Sequence, residues 1–462
     1  MLRTIFVCTI LLIGGLLALR SAFNALLLYL WNAYFRPEEW VWTYIFYILP
    51  TSFVIGAYVV LRSLFAGVQF RFDLRVACFA ALILLSTIST FASEHFTYSS
   101  SYLWDFIKTL VISYLISVLT TDLKRLRLVL LVICLSLSFE AAKQGWAQLV
   151  LNPGATNVNI VLFLGDNNGV AVGMLMLVPM LVALARTSTK RWERWLHHFL
   201  AVGVVYRAIA TYSRGGFLAS AALALVYAWR SPHRVRAIGA GALVAILTLS
   251  VMPPEFWQRM STITTERTQN SETGEAVGRV HFWRMALLMV QDRPLTGVGV
   301  NAYTQAYPTY DTVAGAYGLR RSVHSAWLGA LAELGIPGFL VFVTAIVLAF
   351  VACGRARRLA KRGLVSEQLG HYGTAIEAAL LAFAVGGTFV IFQYVEMLWH
   401  AIGLSMAIHF LTQQELAARR STYAAPVTPL TPRARLDQQP PRHVFDPQPR
   451  RPAVASLGRS RR

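Results

Sequence analysis

Long apolar stretches recur from one end of this chain to the other, and nothing else in it restricts the fold as strongly. Crossing the hydrocarbon of a bilayer takes ~20 apolar residues, within a range of ~17–25. Runs of this kind lie at about 43–61, 74–92, 103–119, 128–147, 160–185, 235–252, 325–351, 373–392 and 397–412. A shorter pair lies at 197–211 and 216–229. Residues 4–35 are too long for one straight span, contain Arg20, and read as two short helices. The total is twelve or thirteen spans. With 56% hydrophobic and 14% charged residues, the 462-residue chain lacks the charge that covers a soluble surface. The expectation is an all-α, polytopic transmembrane helical bundle with one large loop. The opening MLRTIFVCTILLIGGLLALRSA resembles a signal peptide. However, Arg20-Ser21-Ala22 is a poor small-x-small site, so the stretch reads as an uncleaved first helix.

The net charge is +20, from 42 Lys and Arg against 22 Asp and Glu. Such a balance invites a nucleic-acid reading, but the positive charges sit between apolar runs and in the tail. No basic stripe interleaved with aromatics occurs on a soluble domain, so no nucleic-acid partner is expected. Basic groups recur at Arg62, Arg71 and Arg75, at Lys124, Arg125 and Arg127, and at Arg186, Lys190, Arg191 and Arg194. They continue at Arg230, Arg234 and Arg236, and at Arg355, Arg357, Arg358, Lys361 and Arg362. Placing all of these in the cytoplasm makes every span alternate correctly. The turn at 212–215, the loop 253–324 and the turn Gln393–Glu396 then lie outside. Three regions are expected: N-terminal spans over 1–160, a catalytic transmembrane region over 161–414 that includes the loop 253–324, and a tail over 415–462. The tail, with PRARLDQQPPRHVFDPQPRRP, is too poor in apolar residues to fold and reads as a disordered cytoplasmic segment touching anionic lipid. Cys8, Cys78, Cys134 and Cys353 lie in or beside apolar runs without metal-like spacing and read as small hydrophobes.

The polar residues that interrupt the apolar pattern gather on the outer side. In TYSRGGFLA, residues 211–219, Arg214 stands at the outer end of two short helices, and Gly215 and Gly216 permit close backbone approach. An arginine at that depth needs an anion, and its planar fork suits phosphate; the alternative is snorkelling to lipid headgroups. In GRVHFWRMALLMVQDRPLTGVGVNAY, residues 278–303, Arg279 and Arg284 are five apart, ~140° around a helix, so only one of them faces a shared site. The helix should stop at Asp292-Arg293-Pro294. The turn Gly297-Val298-Gly299 could cradle phosphate or be an ordinary turn. In RRSVHSAWLGALAELGIPGFL, residues 320–340, His324 marks the re-entry into the membrane. It is a candidate base or, alternatively, a capping histidine. Arg320 and Arg321 beside it should depress its pKa and keep it neutral. Glu333 reads as a structural hydrogen-bonding group, with Pro337 and Gly338 bending its helix. Asp166, Asn167 and Asn168 could bind sugar hydroxyls or cap a helix. No outer cluster of Asp and Glu has metal-ligand character, so metal-independent chemistry without a cofactor is expected.

SRGGFLA, PLTGVGVNAY and HSAWLGALAELGIPG resemble, in order and spacing, the O-antigen ligase and polymerase family of bacterial membrane glycosyltransferases. The likeness covers roughly 160–410. It implies a multi-helix bundle in the inner membrane with a periplasmic loop. The donor would be a glycan on polyprenyl diphosphate. The acceptor would be a hydroxyl on lipid A-core, on a growing glycan or on a protein. The resemblance assigns Arg214 to the diphosphate, Arg279 to the loop arginine with Arg284 as its alternate, and His324 to activation of the acceptor, with inversion. Tyr212, Ser213, Tyr303, Arg320, Arg321 and Glu396 join the candidate substrate-binding residues, Glu396 occupying the last outer turn where the family has an aspartate. LYLWNAYFRPEEWVW and GDNNGVA look more loosely like the branch of O-glycosylation ligases found with exosortase systems. A ligase is favoured over a polymerase. Two other classes compete: a polysaccharide flippase and an envelope scaffold. The first is disfavoured by the absence of a convincing internal repeat.

Overall fold

The computed structural model describes residues 2–41, 50–157, 161–231, 233–250, 252–261, 267–269 and 276–424. Residues 1–416 make one compact unit and 417–462 a second, of which only the end of the last helix is described.

Helices begin where a polar side chain meets an apolar run. The N-terminal stretch divides into α1 (Leu2–Ala18) and α2 (Ala22–Phe35), as its length required. Ser21 caps α2 by accepting the Asn24 N–H at 3.2 Å. Arg36, in the left-handed region at φ 51°, turns the chain into the single turn α3 (Pro37–Trp40). The next expected span, 43–61, lies partly outside the described residues; α4 (Thr51–Phe65) is its visible part. Asp73 caps α5 (Leu74–Phe91), α6 is Phe96–Leu119, and Asp122 caps α7 (Leu123–Leu151). After a 3₁₀ turn at Leu162–Leu164 come α8 (Asn167–Thr187), α9 (Arg191–Ile209), α10 (Arg214–Arg230) and α11 (Arg234–Ser250). The large loop holds α12 (Pro254–Ser261), a short antiparallel pair β1 (Arg267–Gln269) and β2 (Ala276–Gly278), α13 (Arg279–Asp292) and α14 (Tyr303–Tyr310). The chain then runs through α15 (Ala326–Lys361), α16 (Glu367–Gly386) and α17 (Glu396–Ala424).

Among the described residues, α5, α6, α8, α15 and the stretch Glu367–Phe389 are long and apolar enough to cross a membrane; α1 and α4 are apolar but shorter. The chain is therefore an all-α, polytopic helical membrane protein. The larger expected count also enlists helices that miss this standard. Helices α10 and α11 have 17 residues each, and α9 carries Arg191, Glu193, Arg194 and Arg207. Helix α8 lies deepest: 83% of its apolar window is buried, against 39% in α5 and α15. Helices α7 and α9 cross so tightly that a Cβ on Gly145 would lie 1.9 Å from the Gly203 carbonyl oxygen. The stretch expected as a free tail from 415 is still helical through Ala424, and its remainder lies outside the described residues.

The motifs PLTGVG and AELGIPG form one piece of structure. Helix α15 breaks at Gly335, whose φ of 66° and ψ of −178° open its backbone. Into that break fits the Gly-rich turn. Val298 N–H donates to Ala332 O at 2.9 Å, Gly299 N–H to Glu333 O at 3.3 Å, and Ile336 N–H to Pro294 O at 2.8 Å. A Cβ on Gly297 would lie 2.5 Å from the Glu333 carbonyl, so only glycine allows this approach. Ser89 and Ser93 of the α5 side donate to Glu333 O and Val298 O, both at 2.6 Å. The turn is thus a structural clasp; its amide groups face backbone carbonyls and do not form a phosphate cradle. The Glu333 carboxylate belongs to the same clasp, accepting from Tyr303 N at 3.1 Å and from Gln393 Nε2 at 3.0 Å.

Candidate functional site

Two helix N-termini are tied side by side. Asp166 caps α8, its Oδ1 accepting the Asn168 and Gly169 N–H groups at 3.0 Å. Ser213 caps α10, accepting Gly216 N–H at 3.0 Å, and its hydroxyl donates to Asn168 Oδ1 at 2.8 Å. Asn167 Nδ2 donates to Thr211 O at 3.1 Å. GDNN and TYSRGG therefore form one unit, and both helices turn positive ends toward it. Arg214 occupies the first turn of α10 and is buried. The glycines after it explain its placement. A Cβ on Gly215 would lie 2.9 Å from Phe389 Cβ, and one on Gly216 would lie 2.6 Å from Ala171 Cβ. Bare backbone at both positions lets α10 seat Arg214 against α8 and the Phe389 turn.

The large loop supplies the opposite wall. Helix α13 buries Phe282, Met285, Ala286 and Met289 against Val298, Ala302, Tyr303, Ala306, Tyr307 and Val323. That packing places Arg279, the first residue of α13, with its guanidinium 5.6 Å from the Phe389 ring centre. Phe389 thus lies between Arg279 and the glycine that follows Arg214. Arg284 is exposed on another face, as the five-residue spacing required. His324 stands at φ 47°, a left-handed conformation uncommon for a residue with a Cβ. Directly after it Ser325 caps α15 by accepting Leu328 N–H at 3.3 Å. The His324 ring lies 6.4 Å from that of Phe282. Burial lowers the His324 pKa first of all; Arg279 and Arg321 lower it further, and Asp166 opposes them. The imidazole is held neutral in a group that joins Asp166, Arg279 and Arg321.

Seven of the residues singled out from sequence therefore converge: Asp166, Asn168, Ser213, Arg214, Arg279, Arg321 and His324. Asn167 serves the joint between the two caps. Others are placed elsewhere. Tyr212, at φ 53°, donates its hydroxyl to Gly154 O and packs its ring 5.2 Å from Phe256, so it braces the turn from behind. Tyr303 is buried, and its hydroxyl donates to Phe282 O at 2.7 Å. Arg320 is exposed and is not among the charges acting on His324; Arg279 takes the part expected of it. Glu396 lies among Arg36, Glu38, Asp105 and Lys108. Four groups near the site were not singled out: His281, Asp311, Tyr317 and Phe389. Only Asp311, ahead of the Gly315 turn, carries a sequence signal, that of an Asx turn.

The fold and this arrangement define a polytopic helical membrane protein with an arginine- and histidine-bearing polar site beside its large loop. Residues 199–343 match the family model described as O-antigen ligase. That match supports glycan transfer of the O-antigen ligase or polymerase type in general. The matched segment runs from α9 into α15 and contains Arg214, Arg279, Arg321 and His324, whereas Asp166 precedes it. No curated protein matches the chain.

Proposed function

We propose that the chain transfers a glycan from polyprenyl diphosphate to an acceptor hydroxyl, with His324 as general base and with Arg214 and Arg279 holding the diphosphate. The observation that carries this reading is the placement of a neutral histidine beside two arginine-bearing elements that meet at Phe389. The acceptor O–H gives its proton to the imidazole as the oxygen attacks the anomeric carbon. The bond from that carbon to the diphosphate oxygen breaks, and the electron pair leaves with polyprenyl diphosphate. Attack from the opposite side inverts the linkage. Developing charge on the diphosphate meets Arg214, Arg279 and the N-terminus of α10, which is electrostatic stabilisation of the leaving group. A positioned base contributes roughly 10²–10⁴-fold to such a step. Asp166 and Asn168, at the rim, are available to sugar hydroxyls with the part of their hydrogen-bonding capacity that capping leaves.

The recurrent basic loops support an inner-membrane orientation with this site facing the periplasm and the C-terminus in the cytoplasm. The test uses purified protein in lipid, a polyprenyl-diphosphate-linked glycan from the host and host membrane extract. Release of polyprenyl diphosphate should require the acceptor, and the mass of the shifted acceptor assigns lipid, protein or a second lipid-linked glycan. The last outcome would make the chain a polymerase. Acceptor-independent movement of intact donor across the bilayer would instead make it a flippase.

A further inference from the structure

The segment between α14 and His324 is organised by one carboxylate. Asp311 Oδ2 accepts Gly315 N–H at 2.6 Å. Its Oδ1 accepts Val313 N–H at 3.3 Å and the Tyr307 hydroxyl at 3.2 Å, and it lies 3.1 Å from His281 Nε2. The same His281 nitrogen is 3.1 Å from the Tyr307 oxygen. Both side chains are shielded, with 5% of Asp311 and 14% of His281 exposed. The His281 and Tyr317 rings meet edge to face with 5.0 Å between centres. Gly315 at φ 78° and Gly318 at φ 94° give the reversals that bring Tyr317 back over α13. The Tyr317 carbonyl then accepts the Arg321 Nε–H, and Arg321 is one of the two cations acting on His324. A second route runs in parallel: Phe282, next to His281 on α13, touches Tyr317 at 6.3 Å and His324 at 6.4 Å.

We propose that His281 and Asp311 are positioning residues for the transfer centre: they fix the Tyr317 turn and, through it, the Arg321 guanidinium beside His324. Neither need touch the glycan or the diphosphate. The pair does more than fill the loop core, because a purely apolar contact would not orient a guanidinium; the carboxylate holds the 311–315 backbone, and the imidazole links that turn to α13. The inference rests on the reading of His324 as the base, but its effect on His324 is measurable without transfer.

The groups facing His324 are Asp166, Arg279 and Arg321. Loosening Arg321 removes one of the influences that lower the imidazole pKa, so the midpoint must rise. Deuterium exchange at the histidine C2 position, followed by mass spectrometry, reads that midpoint in the full chain in nanodiscs. Asp311→Asn and His281→Gln should each raise it by roughly half a unit or more. Asp311→Glu should restore part of the natural value. In the transfer assay the acid limb of the rate–pH profile should move up by the same amount. Folded Asp311→Asn and His281→Gln proteins with an unchanged midpoint would overturn the positioning role. If Asp311→Asn does not fold, the milder His281→Gln and a Tyr317→Leu variant carry the same prediction, and an unchanged midpoint in both refutes it. A shifted midpoint together with full transfer by His324→Ala would uphold the coupling and instead refute His324 as the base.

Discussion

His324 joins the backbone and the chemistry of the site at a single residue. Its left-handed φ is unusual for a side chain with a Cβ and costs on the order of 1–2 kcal/mol, which the Ser325 cap and the Phe282 contact must hold in place. Because burial and two cations depress its pKa, the imidazole stays neutral below the ordinary histidine value of about 6.5. In the proposed mechanism the neutral imidazole is the active form, so transfer should persist under mildly acidic conditions and fall only as pH drops through the lowered pKa. Arg321→Ala should move that limb to higher pH; a rate–pH profile checks it, and a limb that moves down would contradict the assignment. At this scale the sequence was partly legible. Five-residue spacing on one helix was enough to separate Arg279 from Arg284. Adjacent Arg320 and Arg321 could not be separated, since their directions depend on the Tyr317 carbonyl, a contact made by the folded loop.

Among the elements, caps and glycines matter more than hydropathy. The apolar run 160–185 does not show where its helix starts, whereas GDNNGVA does: α8 begins at Asn167, Asp166 takes the cap and a 3₁₀ turn at Leu162–Leu164 comes before it. Hydropathy has no sensitivity to such a break. The motif glycines, in contrast, signalled close approach, and close approach is what they provide. Gly216→Ala would place a Cβ 2.6 Å from Ala171 Cβ and push α10 from α8. It should cost roughly 1–3 kcal/mol of stability and lower transfer by displacing Arg214; thermal unfolding in nanodiscs measures the first effect. Ser213→Ala, which removes only the cap, should cost about 1 kcal/mol. Gly297→Ala should be more damaging than either, since φ is 69° and the added carbon meets the backbone of Glu333 at 2.5 Å. Equal melting temperatures for Gly297→Ala and the natural protein would show that the clasp between the PLTGVG turn and the α15 break is not needed.

On the scale of the whole molecule, alternating basic loops and apolar runs were sufficient to give a polytopic helical bundle, since both signals are repeated many times. Span number was less legible, because helices such as α10 and α11, with 17 residues each, stand at the lower limit of length for crossing the hydrocarbon. Orientation yields a direct prediction. In a background without its natural cysteines, Thr312→Cys should react with a membrane-impermeant maleimide from the outer side, and Arg362→Cys only after the membrane is opened. The reverse pattern would put the proposed site in the cytoplasm and exclude a periplasmic transfer. The site itself was legible where a polar residue interrupts an apolar run, as at Arg214 and His324. It was not legible where the contact is between loop residues distant in sequence, as with His281 and Asp311.

In the proposed mechanism His324 takes the acceptor proton. The most direct measurement is single-turnover release of polyprenyl diphosphate by reconstituted natural protein and by His324→Ala, with donor and acceptor saturating and with donor binding measured in parallel. Unchanged donor binding and a rate lower by roughly 10²–10⁴-fold are expected for His324→Ala. Release at the natural rate by a folded His324→Ala protein would contradict that mechanism.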